Sequence, residues 1–565
     1  MTEPPGLPKP SRRHDLDALR AFAMSLGIAL HGALSFTGFP WMVQDLRPSG
    51  VFVGVFAAIH GFRMPLFILV SGYFTMMLWR SRGMKGLLVQ RAWRVLVPCW
   101  LGVFTIVPTL DWAGAKAQAI ARAQDARTRP GPSAQPDLVE ATRRGDRAAM
   151  ASLLDGGADP NLADPTTGIP PLAWAAMIGD EAAAGLLLDR GADPNRADRS
   201  GYRPLHSAAF LGHPGLLDLL IRRGADPKAR GPRDDTAIDS TRTDAATTRA
   251  IVASLRVPTR EEDELQAGRA ECRALLGPLI PAPAGSIAPA APGGWESVRR
   301  WYAGFLASDR FLLRRGPWGE PFHLILTPVF DHLWFLWFLC WLVAIFAVVA
   351  PLADRLATRR VPATWTTSPL RWAWVVPLTM IPQSLMATLG PSFGPDTSLG
   401  LLPQPHLLVY YGIFFAFGAL FHDADDRDGR LGRMWWLTLP LALLVLLPLG
   451  LATSGQVWIS GALQVAYAWA LCFALIGLFR RALSQESRTI RYLSDSAYWL
   501  YLAHLPVVVL LQAWVRDRDW PAAFKFALVC TLTTAALLAS YQLLVRHTPI
   551  GRLLNGPRPI RANGS

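Results

Sequence analysis

Long apolar runs decide what this chain can fold into. Ten of them are each long enough to cross the roughly 30 Å hydrocarbon core of a bilayer. They occupy residues 16–36, 51–79, 95–113, 330–353, 371–390, 405–422, 434–452, 457–479, 493–515 and 523–545. Backbone polar groups in lipid must be satisfied within the segment itself, which favours helices. We therefore predict an all-α fold, a polytopic membrane helix bundle of about ten transmembrane helices.

The composition supports this class and excludes others. The 565 residues are 51% hydrophobic and only 17% charged, which is too apolar for a soluble enzyme of this length. The formal net charge is +14, and in a membrane protein such an excess usually lies in cytoplasmic loops. We therefore expect no nucleic-acid partner. The five cysteines are scattered without a CxxC pair, so neither a disulfide framework nor a metal site is indicated.

Basic residues predict the orientation of the spans. Arginine and lysine cluster before the first span, in every second loop after it and in the tail from 551 to 565, whereas loops 391–404 and 453–456 contain none. The positive-inside rule then places both termini in the cytoplasm. The first run lacks a convincing cleavage site and is interpreted as a retained span rather than a signal peptide. We predict a multi-pass protein of a bacterial inner membrane.

A segment of about 200 residues between the third and fourth spans repeats internally. "GGADPN" at 156–161, "RGADPN" at 190–195 and "RGADPK" at 223–228 recur at about 33 residues, each after a leucine-rich stretch. "PPLAWAAMIGD" at 170–180 and "RPLHSAAFLGH" at 203–213 align at the same period. The pattern resembles ankyrin repeats. We predict an inserted α-helical domain of about four repeats, the first and last degenerate as caps. Its place after an odd-numbered span predicts a periplasmic location.

These observations divide the chain into five parts. The prediction is a first membrane part of three spans, an ankyrin-repeat domain, a Pro/Ala/Gly-rich linker, a second membrane part of seven spans and a cytoplasmic tail, at 1–115, 130–258, 259–295, 296–550 and 551–565.

Three ionisable residues in the first span are candidates for chemistry. Asp17 lies three residues before Arg20, and Arg20 lies eleven residues before His31, so the three share one face of a helix. Burying such groups in hydrocarbon costs about 2.5–3.5 kcal/mol each on insertion scales. They line a polar cavity with His31 as a general base, or they are interfacial anchors and a polar contact between helices.

Arg63 raises the same question in the second span. It lies 12 residues from one end of that run and 16 from the other, where a charged group needs a polar cavity or a partner. The alternative is an ion pair that ties helices together. His60 lies on the same face, three residues earlier, and either joins the cavity or makes a helix contact.

Several segments carry a family resemblance. "LDALRAFAMSLGIALHGALSF" at 16–36 resembles the first span of the integral-membrane acyltransferase 3 family, with its Arg–ten residues–His signature at Arg20 and His31. "GFRMPLFILVSGYF" at 61–74 and "RAWR" at 91–94 are similar to motifs of the second and third spans. "DHLWFLWFL" at 331–339 and "SDSAYWLYLAHLPVV" at 494–508 resemble later motifs of the subgroup similar to glucan succinyltransferases.

The resemblance implies transfer of an acyl group, acetyl or succinyl, from acyl-CoA to a hydroxyl of a carbohydrate or glycan. Acyl-CoA would be a co-substrate, with no tightly bound cofactor. Arg91 and Arg94 would bind donor phosphates with Arg63, and Arg20 would either orient the base or bind those phosphates. Acceptor or pocket residues would be His60, His332, Ser496, Tyr498 and His504.

Two other classes of function remain open. Intramembrane Arg and His also mark the pathways of transporters and exporters, although no inverted repeat is visible between the two halves. In a membrane scaffold the ankyrin repeats would bind a protein partner and the spans would only anchor them in the lipid bilayer.

Overall fold

The computed structural model describes residues 13–39, 41–128, 138–164, 168–198, 201–231, 235–243, 261–280, 294–313, 322–356, 361–386, 393–454 and 456–555, with residues 248, 252 and 257. Within the chain two compact units are distinguished. One is formed by Met1–Thr128 with Val298–Ser565, and is called here the membrane unit. The other, Arg129–Ser297, is called the ankyrin unit. Both are built almost entirely of helices, as the apolar runs and the repeats predict.

The membrane unit begins with helices His14–Leu34, Gly50–Arg91 and Val97–Thr128. Longer helices then follow at Trp295–Leu306, Trp334–Leu356, Trp372–Gln383, Pro405–Asp423, Val457–Ala482, Arg488–Val515 and Ala522–Ser540. Short helices lie at Thr364–Thr367, Trp435–Leu441, Leu447–Ala452 and Pro549–Asn555. Three-residue 3-10 helices occur at Asp309–Phe311, Asp331–Leu333 and Pro369–Arg371, and π-helical turns at Ala92–Leu96, Ala442–Leu446 and Tyr541–Val545. The strands Leu312–Leu313 and Phe322–His323 pair antiparallel, with Leu312 opposite His323.

The predicted spans correspond to helices in the structure. Seven helical stretches of the described chain are long and apolar enough to cross a membrane, and the first, Gly50–Ala121, contains two predicted spans. The two remaining predictions are His14–Leu34, whose hydropathy is lowered by its polar residues, and Trp372–Gln383. The latter helix has only 12 residues, and residues 387–392 of its predicted span lie outside the described part of the chain. The protein is a multi-pass membrane protein.

Small residues let the membrane helices approach closely. A Cβ atom on Gly72 would lie 2.0 Å from the carbonyl oxygen of Phe415, and one on Gly418 would lie 1.9 Å from that of Leu69. Helices Gly50–Arg91 and Pro405–Asp423 therefore meet backbone to backbone, the packing mode that small residues permit in membranes. The core beside this crossing is aromatic, with Phe414 stacked on Trp469 at 3.9 Å between ring centroids.

The two ends of the membrane unit hold different polar contacts, and the end that carries Arg80, Arg94 and Arg480 is called here the arginine-rich end. At one end Arg80 pairs with Asp354 and Asp423, Arg94 donates to the carbonyl of Asn555, and Arg480 donates to that of Asp426. The opposite end holds the loop after the first helix, where the buried Lys525 ammonium pairs with Asp45 at 2.9 Å. There Gln124 donates to the carbonyl of Ala513, so the helix that precedes the insertion ends on this second side.

The ankyrin unit stacks pairs of short helices. The pairs are Leu138–Arg144 with Arg147–Asp155, Pro171–Ile178 with Glu181–Asp189, and Pro204–Phe210 with Pro214–Arg222. Asp146 and Asp180 cap the second helices of the first two pairs by accepting from backbone N–H groups. Ala237–Ser240 begins the predicted fourth repeat, and most of the remainder of that repeat lies outside the described residues.

An asparagine ladder joins successive repeats. The Asn161 side chain donates to the carbonyl of Gly191 and accepts from the N–H of Asp193. Asn195 makes the same two bonds to Gly224 and Asp226 one repeat later. Lys228 stands at the equivalent position of the third copy, so the ladder ends there.

The structure corrects the first half of the predicted linker, 259–295. Residues Glu262–Leu276 form a helix that packs on the repeats, and its Arg269 side chain is fully buried. Arg269 donates to the carbonyls of Phe210 and Thr243 and to the Thr248 hydroxyl. Amphipathic periodicity, rather than composition, was the signal for this helix. Residues 281–293, the Pro/Ala-rich part, lie outside the described residues.

Candidate active site

Two histidines that are far apart in sequence meet inside the membrane unit. His31 lies in the last turn of helix His14–Leu34, and His504 lies in the middle of helix Arg488–Val515. Nδ1 of His31 and Nε2 of His504 are 2.9 Å apart, and the ring centroids are 5.0 Å apart. The pair is a direct hydrogen bond between two imidazoles, so one nitrogen must donate and the other accept.

The surroundings of His504 decide which nitrogen donates. Its Nδ1 lies 2.8 Å from the carbonyl oxygen of Tyr501, which can only accept. In neutral His504 the proton is therefore on Nδ1, and Nε2 carries the lone pair. His31 must then donate from Nδ1, which leaves the lone pair of neutral His31 on Nε2. The arrangement fixes a single tautomer of His31 and leaves its Nε2 as the basic nitrogen.

The Arg63 guanidinium lies beside this pair. A Cβ atom on Gly27 would lie 2.6 Å from Nη1 of Arg63 and 3.6 Å from Nε2 of His504, so the glycine leaves room for the guanidinium. Arg63 has no carboxylate partner among the described residues, and its buried Nε has no hydrogen-bond partner there. An unpaired buried cation is expensive unless a ligand completes its environment.

A small cavity opens against Arg63. Its remaining lining is apolar or aromatic, and consists of Ala23, Met24, Met64, Phe67, Phe335 and Tyr501. Met24 lies one turn before Gly27 and two turns before His31, on the face of the first helix that also carries Arg20. The cavity therefore adjoins Arg63 on the Arg20 side of His31.

His332 belongs to the same cluster. Its ring centroid is 5.5 Å from that of His504, and its Nε2 donates to the carbonyl of Leu502 at 3.0 Å. Tyr501 in turn donates its hydroxyl to the carbonyl of His332 at 2.7 Å. Nδ1 of His332 and the Tyr411 hydroxyl are buried without a partner among the described residues. Unpaired buried polar atoms of this kind call for a ligand or ordered water.

His60 lies at the edge of the cluster. Its ring stacks on Phe56 at 5.0 Å between centroids and packs against Gly394. It hydrogen bonds to the backbone of Pro395 and is within electrostatic range of Arg63. The prediction that His60 shares a face with Arg63 fits this placement.

The structure separates Arg20 and Asp17 from His31. Arg20 is paired with Asp17 at 3.5 Å and covers the ring of Phe74, in the first two turns of the helix. Eleven residues of helix place Arg20 about 16 Å from His31 along the axis, and Asp17 lies one turn further away. Asp17 and Arg20 therefore do not reach the imidazole in this structure, and the catalytic role predicted for them stays a prediction.

Arg20 instead lies near Arg91 and Arg94, the predicted donor-binding residues. The charges of Arg91 and Arg94 both interact with that of Arg20, without a carboxylate between them among the interactions described. Arg91 donates to the Thr75 hydroxyl at 2.8 Å, and Arg94 donates to the carbonyl of Asn555. The "RAWR" segment runs into the π-helical turn Ala92–Leu96, a distortion often found at functional sites.

Two predicted pocket residues do not meet the histidines. Ser496 is fully buried and donates its hydroxyl to the carbonyl of Leu493 in its own helix. Tyr498 donates to the carbonyl of Arg94 at 2.8 Å, and so supports the arginine cluster. Their spacing to His504 places them in the same helix but along a different part of its surface.

Two residues near His31 were not predicted from the sequence. Trp41 stacks on the His31 ring, and Gln512 donates to the His31 carbonyl. A tryptophan in a loop and a glutamine in an apolar helix match no motif. The only signal was Gln512 itself, a polar amide within the ninth apolar run.

Two family models match this chain. A family model described as "Acyltransferase domain" matches residues 13–121 and 279–541, and a model described as "Ankyrin repeats (3 copies)" matches residues 138–230. The chain is 36% identical over 104 residues to "Glucans biosynthesis protein C" of Escherichia coli O1:K1 and O157:H7 strain EC4115. That alignment covers 18% of this chain and 26% of each relative, so the chain spans about a quarter of their length.

Among solved structures, the ankyrin repeat domain of Bcl-3 is 31% identical to this chain. The match covers 21% of this chain and 50% of that one, with a TM-score of 0.18.

Proposed function

From the membership of this chain in the acyltransferase 3 family, with ankyrin repeats inserted in it, we propose that it transfers an acyl group from acyl-CoA to a hydroxyl of a glycan. His31 is the general base. The observation that carries the proposal is the His31–His504 hydrogen bond, because it leaves the lone pair of His31 on Nε2 beside the unpaired Arg63 guanidinium. A glucan-like carbohydrate is the acceptor class, in line with the name of the Escherichia coli relatives.

The reaction uses each group in turn. Nε2 of His31 takes the proton of the acceptor hydroxyl as its oxygen attacks the thioester carbonyl carbon. The carbonyl oxygen becomes an oxyanion, which the Arg63 guanidinium stabilises. The carbon–sulfur bond then breaks, and the CoA thiolate takes the proton from His31. Throughout, the hydrogen bond from Nδ1 of His31 to His504 holds the imidazole and supports its charged form.

The donor enters from the arginine-rich end. Arg20, Arg91 and Arg94 form a cluster without a neutralising carboxylate on Arg91 or Arg94 among their described interactions, which suits the phosphates of CoA. The cavity lined by Met24 and Phe335 lies between this cluster and Arg63. Its apolar lining suits the passage of the uncharged thioester end. We assign Arg20 to donor binding, since it lies too far from His31 to orient it.

The membrane orientation follows from the same polarity. With the arginine-rich end in the cytoplasm of a bacterial inner membrane, both termini are cytoplasmic and His31 lies near the periplasmic face. The helix Val97–Thr128 leads into the insertion from the end opposite the arginine-rich loops, which supports a periplasmic ankyrin domain. That domain then presents its repeats to a protein partner.

The base is tested with the full chain in membrane vesicles. We propose incubation with radiolabelled acetyl-CoA or succinyl-CoA and glucan oligosaccharides, comparing the wild type with His31→Ala. The variant should lose at least about a hundredfold in transfer rate. His14→Ala, which removes a histidine at the other end of the same helix, is the matched control and should keep the wild-type rate. Equal transfer by His31→Ala and wild type would exclude His31 as the base.

Labelling of introduced cysteines, measured against the background of the unsubstituted chain with its five native cysteines, tests the orientation. Leu162→Cys places a thiol on an exposed position of the ankyrin unit, and Ser81→Cys places one at the arginine-rich end. A thiol reagent that cannot cross membranes should label the first and not the second in intact spheroplasts. The reverse pattern would overturn the proposed orientation.

A further inference from the structure

The loop after the first membrane helix covers His31 with an indole. The rings of Trp41 and His31 are stacked, with centroids 5.8 Å apart and planes 16° apart. The Trp41 Nε1 donates to Oε1 of Gln512 at 2.8 Å. Trp41 also packs against a buried apolar cluster that includes Leu110, Leu505 and Val509. One face of the imidazole is therefore closed by a ring that is itself held in place.

The side-chain nitrogen of Gln512 bonds to the backbone of His31. Its side chain is fully buried, and Nε2 donates to the carbonyl of His31 at 2.9 Å and to that of Gly32 at 3.2 Å. These carbonyls lie in the last turn of helix His14–Leu34, where backbone acceptors lack partners in the following turn. Each side-chain hydrogen bond of Gln512 to the described residues therefore ends on His31, its neighbour or its stacking partner.

The loop that carries Trp41 is anchored independently. Its Asp45 carboxylate pairs with the Lys525 ammonium at 2.9 Å, and both side chains are 1% exposed. The N–H of Asp45 also donates to the carbonyl of Ser35, directly after the first helix. Burying such a pair costs desolvation free energy. Here the pair fixes the position of the loop.

We infer that Trp41 and Gln512 are positioning residues for His31. Together they hold the imidazole in the one orientation in which Nδ1 faces His504 and Nε2 faces the acceptor. A histidine ring has a broad, roughly two-fold torsion at its second side-chain bond, so an unsupported ring also samples the flipped orientation, in which Nδ1 no longer faces His504. This inference rests on the proposed function, because it concerns the base of that reaction.

The test measures kcat and KM of the full chain in lipid nanodiscs, with labelled acyl-CoA and a glucan acceptor. Trp41→Ala and Gln512→Met should lower kcat by roughly a hundredfold, the cost of misplacing a catalytic group, with the donor KM unchanged. Trp41→Phe keeps an aromatic ring and loses only the N–H, so it should recover part of the kcat lost in Trp41→Ala. The double variant Trp41→Phe with Gln512→Met should lose less than the product of the single losses, because both remove one shared bond.

One partly buried and one buried residue of the same unit supply matched controls. Trp499→Phe removes an indole hydrogen bond to Ser540, and Gln464→Met removes a buried amide that bonds Ser460 and the N–H of Gly394. Both should keep kcat within about twofold, whereas a general effect of lost buried hydrogen bonds would lower it in all four variants.

Three results distinguish the possibilities. If wild type is active and His31→Ala is not, while Trp41→Ala and Gln512→Met keep their kcat, the positioning role is wrong and the proposed function stands. Losses of the same size in the two controls also overturn it. Absence of transfer by wild type itself would refute the proposed function. Should Gln512→Met fail to accumulate, Trp41→Phe replaces it, since it removes a single hydrogen bond. A kcat below that of wild type then supports the positioning role, and a wild-type kcat overturns it.

Discussion

An arginine of the membrane unit and an arginine of the ankyrin unit differ in the hydrogen-bond partners that the fold gives them. Around Arg63 the membrane unit holds polar atoms without partners, on Arg63, His332 and Tyr411. The ankyrin unit buries Arg269 completely and supplies it with the carbonyls of Phe210 and Thr243 and a hydroxyl. Polarity that is satisfied within the chain stabilises a fold, whereas polarity that is left open awaits a ligand.

The two buried arginines test this contrast most strongly. Arg63→Met should lower transfer about 10²–10³-fold, the usual cost of removing an oxyanion donor, and should leave the thermal midpoint equal or higher because an unpaired charge is removed. A lower midpoint with normal transfer would mean that Arg63 is a structural tie.

Arg269→Met should have the opposite effects, lowering the stability of the repeats and leaving transfer unchanged. It leaves the carbonyls of Phe210 and Thr243 buried without donors, so the free energy of local unfolding should fall by about 3 kcal/mol. Hydrogen–deuterium exchange of residues 204–222 in the full chain measures this effect, and transfer should be unchanged. Unaltered exchange would show that the helix Glu262–Leu276 contributes nothing to the repeats.

The asparagine ladder predicts a smaller, position-dependent effect. Asn195→Ala removes two hydrogen bonds to the next repeat and should cost about 1–2 kcal/mol, seen as faster exchange at residues 204–222. Lys228→Ala, at the equivalent position beyond the last rung, is the matched control and should change little. Equal effects of the two substitutions would mean that the ladder is not the source of the coupling.

The smallest effect concerns pH. His206 is 2% exposed, its Nε2 faces the carbonyl of Asp235, and burial lowers its pKa. The unfolded chain, with a pKa of about 6.5, then binds a proton that the folded chain does not. Stability of this repeat should therefore fall as the pH drops below about 6.5. Exchange at residues 204–222, corrected for its intrinsic pH dependence, should show this trend, and His206→Gln should remove it.

The sequence predicts the elements of this fold better than their contacts. Apolar runs and a 33-residue period are local properties, so the spans and the repeats are visible in the sequence. A charge at mid-span likewise identifies Arg63. The partnership of His31 with His504 is a tertiary contact, and nothing local in the sequence predicts it. The roles of Trp41 and Gln512 could not be predicted from the sequence either, because their contacts with His31 form only when three segments of the chain have packed together.

The sequence separation of the histidine pair has a consequence for biogenesis. His504 is synthesised 473 residues after His31, which at about 5–20 residues per second is a delay of roughly half a minute to a minute and a half. Until then the imidazole of His31 lacks its hydrogen bond to His504. Under the proposed function, the base is therefore complete only when the penultimate long membrane helix has been inserted.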